Sequence, residues 1–249
     1  MGKLFLTIKE FILDIIFPKF CFNCGKEGFY LCYDCFSLIN IADRLYCPFC
    51  KHPKVVLDGK TCTSCRRIRK LNGLYCASSY NDFIIKKLIS KFKYSPFVKE
   101  LSEILSYLII AHIIILNNSV FGKYSIFAKK DLNDFLIIPV PLFKKRLKWR
   151  GFNQSEEIAK HISKEFNIPL ENNLLFKIKE TPPQILFKEK EREENIKNVF
   201  LCSSIDKIKN KKIILIDDVF TTGSTMEECA KVLKKAGAKE VWGVVVARG

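Results

Sequence analysis

Apolar positions along the chain follow two different periods. Leu4, Ile8, Phe11, Ile12 and Ile15 recur every three to four residues up to Pro18, which predicts an amphipathic leading helix within residues 1–20. Lys9, Glu10 and Asp14 interrupt the run and no small-residue cleavage site follows, so it reads as a helix packed on its own protein, not a secretory signal. Residues 21–70 lose this periodicity and are rich in turns. From 74 to 118 the spacing is helical again. Tyr80, Ile84, Leu88 and Phe92 share one face of a first helix closed by Pro96, and residues 97–117 form a second. Its apolar stretch, 104–116, is too short to span a bilayer and reads as a buried helix, so no transmembrane segment is expected. Beyond 134, short apolar runs alternate with helical ones: strands over 135–140, 213–216 and 240–246, helices over 153–166 and 224–236. That alternation predicts an α/β fold with a mostly parallel sheet and helices on both faces. The division is a helix and cysteine module over 1–70, then an α/β domain over 71–249.

Composition adds two facts. Of 249 residues, 42 are Lys or Arg and 26 are Asp or Glu, a formal charge of +16. A balance this basic points to an anionic partner, although Lys outnumbers Arg, which weakens the case for nucleic acid. Hydrophobic residues make up 48% of the chain, which argues against a disordered one.

There are 11 cysteines, eight of them as four C-x-x-C pairs: Cys21 and Cys24, Cys32 and Cys35, Cys47 and Cys50, Cys62 and Cys65. Each pair can present two thiolates on one side of a tight turn, and two pairs complete a tetrahedral four-sulfur set that suits Zn²⁺. Without a secretory signal, such spacing argues for metal over disulfides and for a reducing, cytoplasmic compartment. Sequential pairing gives two consecutive zinc ribbons; a cross-braced arrangement and an iron–sulfur cluster are the alternatives. Two zinc ions with four ligands each have no open position and are structural. Residues 1–70 hold 12 basic and 6 acidic side chains, +6; eight thiolates and two Zn²⁺ change this to about +2. The module is therefore less basic than its side chains suggest.

The segment with the clearest chemistry is Ile213 to Thr225. Four apolar residues lead to Asp217 and Asp218, then to Thr221, Thr222, Gly223, Ser224 and Thr225 at the start of a helix. In open α/β sheets ligands bind at the carboxyl ends of strands. A helix N-terminus with free amides attracts phosphate, hydroxyls add donors, and glycine lets the backbone come close. Adjacent carboxylates suit ribose hydroxyls and the hydration waters of Mg²⁺. A second charged segment contains Lys144, Lys145, Arg146, Lys148 and Arg150 without an intervening acid, followed by Gly151, Asn153 and Gln154. Read as a basic loop, it can stabilise a departing diphosphate. With Phe143, Trp149 and Phe152 interleaved, it can instead contact a single strand.

The stretch from Ile213 to Thr225 resembles the signature of type I phosphoribosyltransferases. That resemblance implies binding of 5-phosphoribosyl 1-diphosphate with Mg²⁺: Asp217 and Asp218 on the ribose hydroxyls, and the turn from Thr221 to Thr225 around the 5-phosphate. Further segments are similar to the ComF family and its GntX-type members. These are Pro139-Val140-Pro141 leading to Arg150-Gly151-Phe152-Asn153-Gln154, then Gln184 leading to Arg192, Asn195 and Phe200, together with the leading helix, the cysteine pairs and Lys93-Tyr94. The chain departs from that family in carrying Lys177 and Lys179 where an Arg is common. By the same resemblance, residues 177–200 form a flap over the site, carrying Gln184, Arg192 and Asn195. The family is linked to uptake of transforming DNA. Three functions follow as expectations: a phosphoribosyltransferase with an unnamed acceptor, a single-stranded DNA-binding competence factor, or an adaptor for a competence helicase.

Overall fold

The computed structural model describes residues 18–119, 125–128, 132–180 and 198–249. The leading helix expected within 1–20 falls almost wholly outside them. Four strands form one parallel sheet: β1 (Gly73–Ser79), β2 (Phe135–Pro139), β5 (Lys212–Phe220) and β6 (Glu240–Arg248), in the order β1-β6-β5-β2. A separate antiparallel pair joins β3 (Leu175–Lys177) to β4 (Phe200–Cys202).

Both faces of the sheet are covered, which is why its strands read as continuous apolar runs. Strand alternation sends Ile137, Ile214, Trp242 and Val244 to one face, where α3 (Phe83–Lys93), α4 (Leu101–Asn118) and α6 (Gln154–Phe166) cover them. Leu136, Ile138, Ile213 and Leu215 face the other way, onto α7 (Ser224–Lys235). Helix α4 is long and apolar enough to cross a membrane by length and composition. Ten of its residues are buried against the rest of the chain, as a core helix requires.

The sequence expectation fails first at the start of the helical region. Residues 74–79 are not helical; they belong to the edge strand β1. Leu74, Tyr75 and Ala77 are all buried, so β1 lacks the polar alternation that marks a one-sided strand. Tyr80, four residues before Ile84, extended the apparent helical spacing one turn too far. Helix α3 starts only at Phe83, where the Asp82 carboxylate accepts the Ile84 and Ile85 amides at 2.9 and 3.0 Å. Gly73 opens β1 because nothing larger fits: a Cβ would lie 2.1 Å from the Gly59 carbonyl oxygen and 2.5 Å from the Trp242 ring.

The cysteine module contributes two short helices, α1 (Tyr33–Ser37) and α2 (Thr63–Arg66). Its first half is continuous with the main core: Cys21, Leu31, Cys32 and Ile39 share a cluster with Leu88 and Phe92 of α3. Phe49 of the second half joins the cluster on the opposite face of the sheet.

Candidate functional site

The eight paired cysteines gather into two sets, Cys21, Cys24, Cys32, Cys35 and Cys47, Cys50, Cys62, Cys65, the ligand atoms of each lying within 4.8 Å of one another. The pairing is sequential, so the cross-braced alternative falls. Sulfur separations are 3.6 Å for Cys24 and Cys32, 3.7 Å for Cys50 and Cys62, and 3.8 Å for Cys50 and Cys65. A tetrahedron with Zn–S bonds of about 2.3 Å has edges of about 3.8 Å, so each set fits one zinc ion. Donors already point at the sulfurs: the Cys32 amide at Cys21 Sγ (3.5 Å), the Cys62 amide at Cys47 Sγ (3.4 Å), and Asn23 Nδ2 at Cys35 Sγ (3.2 Å). Burial pushes the Cys21 thiol up, but N–H donors outweigh it and bring it down to about 6. At Cys62 the Cys65 amide leads the causes that lower it to about 6. Their neighbours go the other way, Cys35 and Cys65 up to about 12, so without metal each set holds its negative charge on some sulfurs only, and it is the thiolate form that binds metal.

Strand β5 extends further than its apolar run suggested, carrying Asp217 and Asp218 and ending at Phe220. Asp218 is buried and its Oδ1 lies 2.8 Å from Lys93 Nζ at the end of α3. Asp217 accepts from the Ser155 hydroxyl and from the Asp218 amide, each at 2.9 Å. Burial, together with the neighbouring Asp218 charge, pushes the Asp217 carboxyl up to about 7, against the pull of Lys93. Lys93 itself is held above its ordinary value, because the two aspartates outweigh the effect of burial. This is a carboxylate pair balanced by one shared cation.

The turn that follows is held by Gly223, at φ +78, where a Cβ would lie 2.2 Å from the Phe220 ring. Only glycine tolerates both the conformation and the contact. Gly223 has no side chain to cap α7; the Thr222 hydroxyl instead accepts from the Ser224 amide at 3.4 Å and shares a hydrogen bond of 2.7 Å with the Ser224 hydroxyl across the turn. Asp217, Thr221, Gly223, Ser224 and Thr225 line a depression of about 10 Å³, room for about one water.

The basic segment is not a loop. Lys144–Arg150 forms α5, closed by Gly151 in the left-handed conformation at φ +84. Long unbranched side chains favour a helix, and glycine supplies its stop. Arg150 is buried, and its Nε has no partner among the described residues. Burial lowers its pKa while the Asp218 charge opposes the shift, so it faces the carboxylate pair. Lys145 pairs with Glu180 at 3.6 Å. Trp149 stands edge-on to Phe97 at 4.8 Å, and Phe152 packs on Phe92 at 5.4 Å. Asn153 caps α6 by accepting the Ser155 amide at 3.2 Å and donates to the Val140 carbonyl at 3.1 Å. Gln154 is buried beside it, with Oε1 lacking a partner among the described residues. Gln184, Arg192 and Asn195 lie outside the described residues; β3 and β4 flank that segment. Contacts thus join Asp217 to Ser155 and Asp218 to Lys93, with the charge of Arg150 close to the pair and the Thr221–Thr225 turn following the same strand; Asn153 and Gln154 stand just before Ser155 at the start of α6.

Residues 153–249 match the phosphoribosyl transferase domain family. Competence protein F of Haemophilus influenzae is 40% identical over 111 residues, covering 43% of this chain and 48% of that protein. DNA utilization protein YhgH of Escherichia coli is 32% identical over 108 residues, 43% of this chain and 47% of that protein. Competence protein ComFC of Bacillus subtilis is 28% identical over 214 residues, 83% of this chain and 79% of that protein. Residues 153–249 thus form a phosphoribosyl transferase domain, and the chain is similar to competence proteins F and ComFC. It matches about half the length of the first two relatives.

The matched domain begins at the cap of α6 and includes the aspartate pair, the turn, α7 and β6. The cysteine module lies before it but touches the turn. Phe49, inside the C-x-x-C knuckle of Cys47 and Cys50, meets Phe220 edge-on at 6.0 Å, and Phe220 is the ring beneath Gly223. Arg248, at the end of β6, donates to the carbonyls of Cys47 (3.4 Å) and Pro48 (3.0 Å). Glu227, in the first turn of α7, accepts the amides of Lys70 (2.8 Å) and Leu71 (3.1 Å) just after the module. Lys93, Ser155, Phe49 and Glu227 were not among the site residues read from the sequence. Lys93 and Phe49 stood in recognised segments and Ser155 directly follows one, but all four are joined to their partners by contacts remote in sequence.

Proposed function

We propose that the site binds 5-phosphoribosyl 1-diphosphate together with Mg²⁺ and supports transfer of the ribosyl group to a nitrogen nucleophile. The observation that carries this reading is one juxtaposition: two carboxylates at the end of β5, a glycine-held hydroxyl turn at the N-terminus of α7, and Lys93 and Arg150 beside them. Asp217 and Asp218 accept from the ribose hydroxyls, which requires Lys93 to give up its hold on Asp218. The turn from Thr221 to Thr225 donates to the 5-phosphate. Its depression is too small for a phosphate as it stands, so the Thr222–Ser224 hydrogen bond opens on binding. Mg²⁺, when bound, neutralises diphosphate charge. Arg150, Arg146, Lys145 and Lys148 of α5 offer cations to the leaving diphosphate, while Gly151, Asn153 and Gln154 fix the end of that helix against α6. Gln184, Arg192 and Asn195 belong to the flap in this reading.

Zinc in the two cysteine sets is structural, and residues 1–70 and 71–249 act as separate modules sharing one core. The names of the relatives, competence proteins and a DNA utilization protein, support a role in DNA uptake; a cytoplasmic location, single-stranded DNA and a competence helicase are the remaining parts of this proposal. Diphosphate release on incubation with candidate nitrogen nucleophiles tests the transfer. Wild-type protein releases it, and the pair Asp217→Asn with Asp218→Asn slows release at least about a hundredfold, as loss of groups acting in the transition state does. Release unaffected by that double substitution would remove the reading.

A further inference from the structure

The segments serving the proposed ribose-phosphate site leave a second concentration of charge unexplained. A groove of about 570 Å³ runs between the second half of the cysteine module and the last turns of α7. Arg66, Arg69 and Lys70 line one wall, Lys231, Lys234 and Lys235 the other, and no acidic side chain lines it. Lysines at a helix C-terminus are ordinary, since they complement its dipole. A second element aiming three more cations at them is not explained by that dipole. Two of the nearby acids are committed elsewhere: Glu227 is engaged with two backbone amides and Glu240 accepts from the Trp242 indole at 2.8 Å. Glu228 pairs with one of the six lining cations, Lys231, at 3.2 Å, which leaves the other five in excess. Burial lowers the Lys234 pKa and Lys70 lowers it further, although Glu240 opposes them. The second cysteine set, which carries two net negative charges with zinc bound, offsets only part of this excess.

The groove also lies at the far end of the sheet. It includes Leu71 and Asn72, just before β1, and the C-terminal half of α7, whereas the turn at Gly223 begins that helix. Eleven residues separate Ser224 from Lys235, about 16 Å along the axis. One bound ligand of nucleotide size therefore cannot occupy both places.

We propose that this groove docks the phosphodiester backbone of single-stranded nucleic acid. Six cations spread along a groove exceed what one phosphate can engage, while a chain of regularly spaced phosphates can meet them in turn. Four of the six are Lys, point charges without the fork that reads a base edge, so the contact is independent of sequence. A concave groove suits a strand flexible enough to turn its phosphates inward.

The test measures binding of the zinc-loaded full chain to a fluorescent oligothymidylate of about 20 nucleotides over a range of salt. Arg66→Glu combined with Lys235→Glu weakens binding at least about tenfold and lowers the slope of log K against log salt by about 1.4, two contacts at about 0.7 each. Stabilisation by 5-phosphoribosyl 1-diphosphate and Mg²⁺ stays at the wild-type level in that variant, which separates this proposal from the proposed ribose-phosphate site. Arg66→Gln with Lys235→Gln shows the same direction if the reversed pair folds poorly. Unchanged DNA affinity in both variants would overturn the proposal. So would loss of binding only on Lys145→Glu with Lys148→Glu, or equal displacement of the DNA by polyglutamate of matched charge.

Discussion

At residue scale, the fold rests on a few positions that admit no substitute. Gly223 combines a left-handed backbone with a ring lying where a Cβ would be. Gly223→Ala is expected to cost about 1–3 kcal/mol in stability, read by denaturant unfolding, and to weaken 5-phosphoribosyl 1-diphosphate binding together with it. His112 tests a different property. It is fully buried in α4, its Nδ1–H donates to the Ala42 carbonyl at 2.6 Å, and burial pushes its pKa down to about 4. Between that value and the ordinary 6.5, the unfolded chain takes up a proton that the folded one refuses, so stability falls as pH drops through this window. His112→Gln keeps a donor to Ala42 but not the titration. Unfolding at pH 7 and near pH 4.5 is expected to show wild type losing about 2–3 kcal/mol more than the variant. Equal losses would mean that His112 already shares a proton with water. The sequence places His112 within the apolar run 104–116, but nothing in that run reveals that Nε2 has no partner among the described residues.

At the scale of elements, legibility depended on how local the signal was. Strand β5, its turn and α7 lie in 24 consecutive residues, and a parallel strand buried on both faces announces itself by an uninterrupted apolar run. Strand β1 is equally buried but contains Tyr75, Cys76 and two serines, and it merged with the periodicity of α3. The basic segment was legible as charge but not as a helix, because its helical character rests on Gly151 as a stop and on aromatic contacts to α3 and the segment after it. Lys93 was not legible as a partner of Asp218, since 125 residues separate them. The same holds for Phe49 under Phe220. That contact predicts coupling between elements: Phe49→Ala is expected to keep zinc in the Cys47 set yet weaken 5-phosphoribosyl 1-diphosphate binding several-fold, as an edge-on aromatic contact worth about 1 kcal/mol is lost. Zinc content and ligand titration on the same sample would check it. Undiminished affinity would show that the turn does not need the knuckle.

On the scale of the whole molecule, the cysteine module and the α/β domain share one interior. Cys21, Cys32 and Cys35 lie in the same apolar cluster as α3, whose last turn carries Lys93. Stripping both zinc ions with a strong chelator is therefore expected to lower the thermal midpoint of the entire chain, not to release a melted module from an intact domain. One cooperative transition moving to lower temperature is the predicted trace; an unshifted main transition would contradict it. The charge of +16 is likewise divided, part around the carboxylate pair and part in the groove at the opposite end of α7.

The central claim concerns the aspartate pair and the turn beside it. The most direct measurement is calorimetric titration of 5-phosphoribosyl 1-diphosphate into the zinc-loaded protein, with and without Mg²⁺, on wild type and on Asp217→Asn with Asp218→Asn. The account predicts one site per chain that requires Mg²⁺ for full affinity and is weakened at least about a hundredfold in the double variant, as the loss of two charged partners implies. Heat indistinguishable from dilution in the wild type, or equal affinity in the variant, would contradict it.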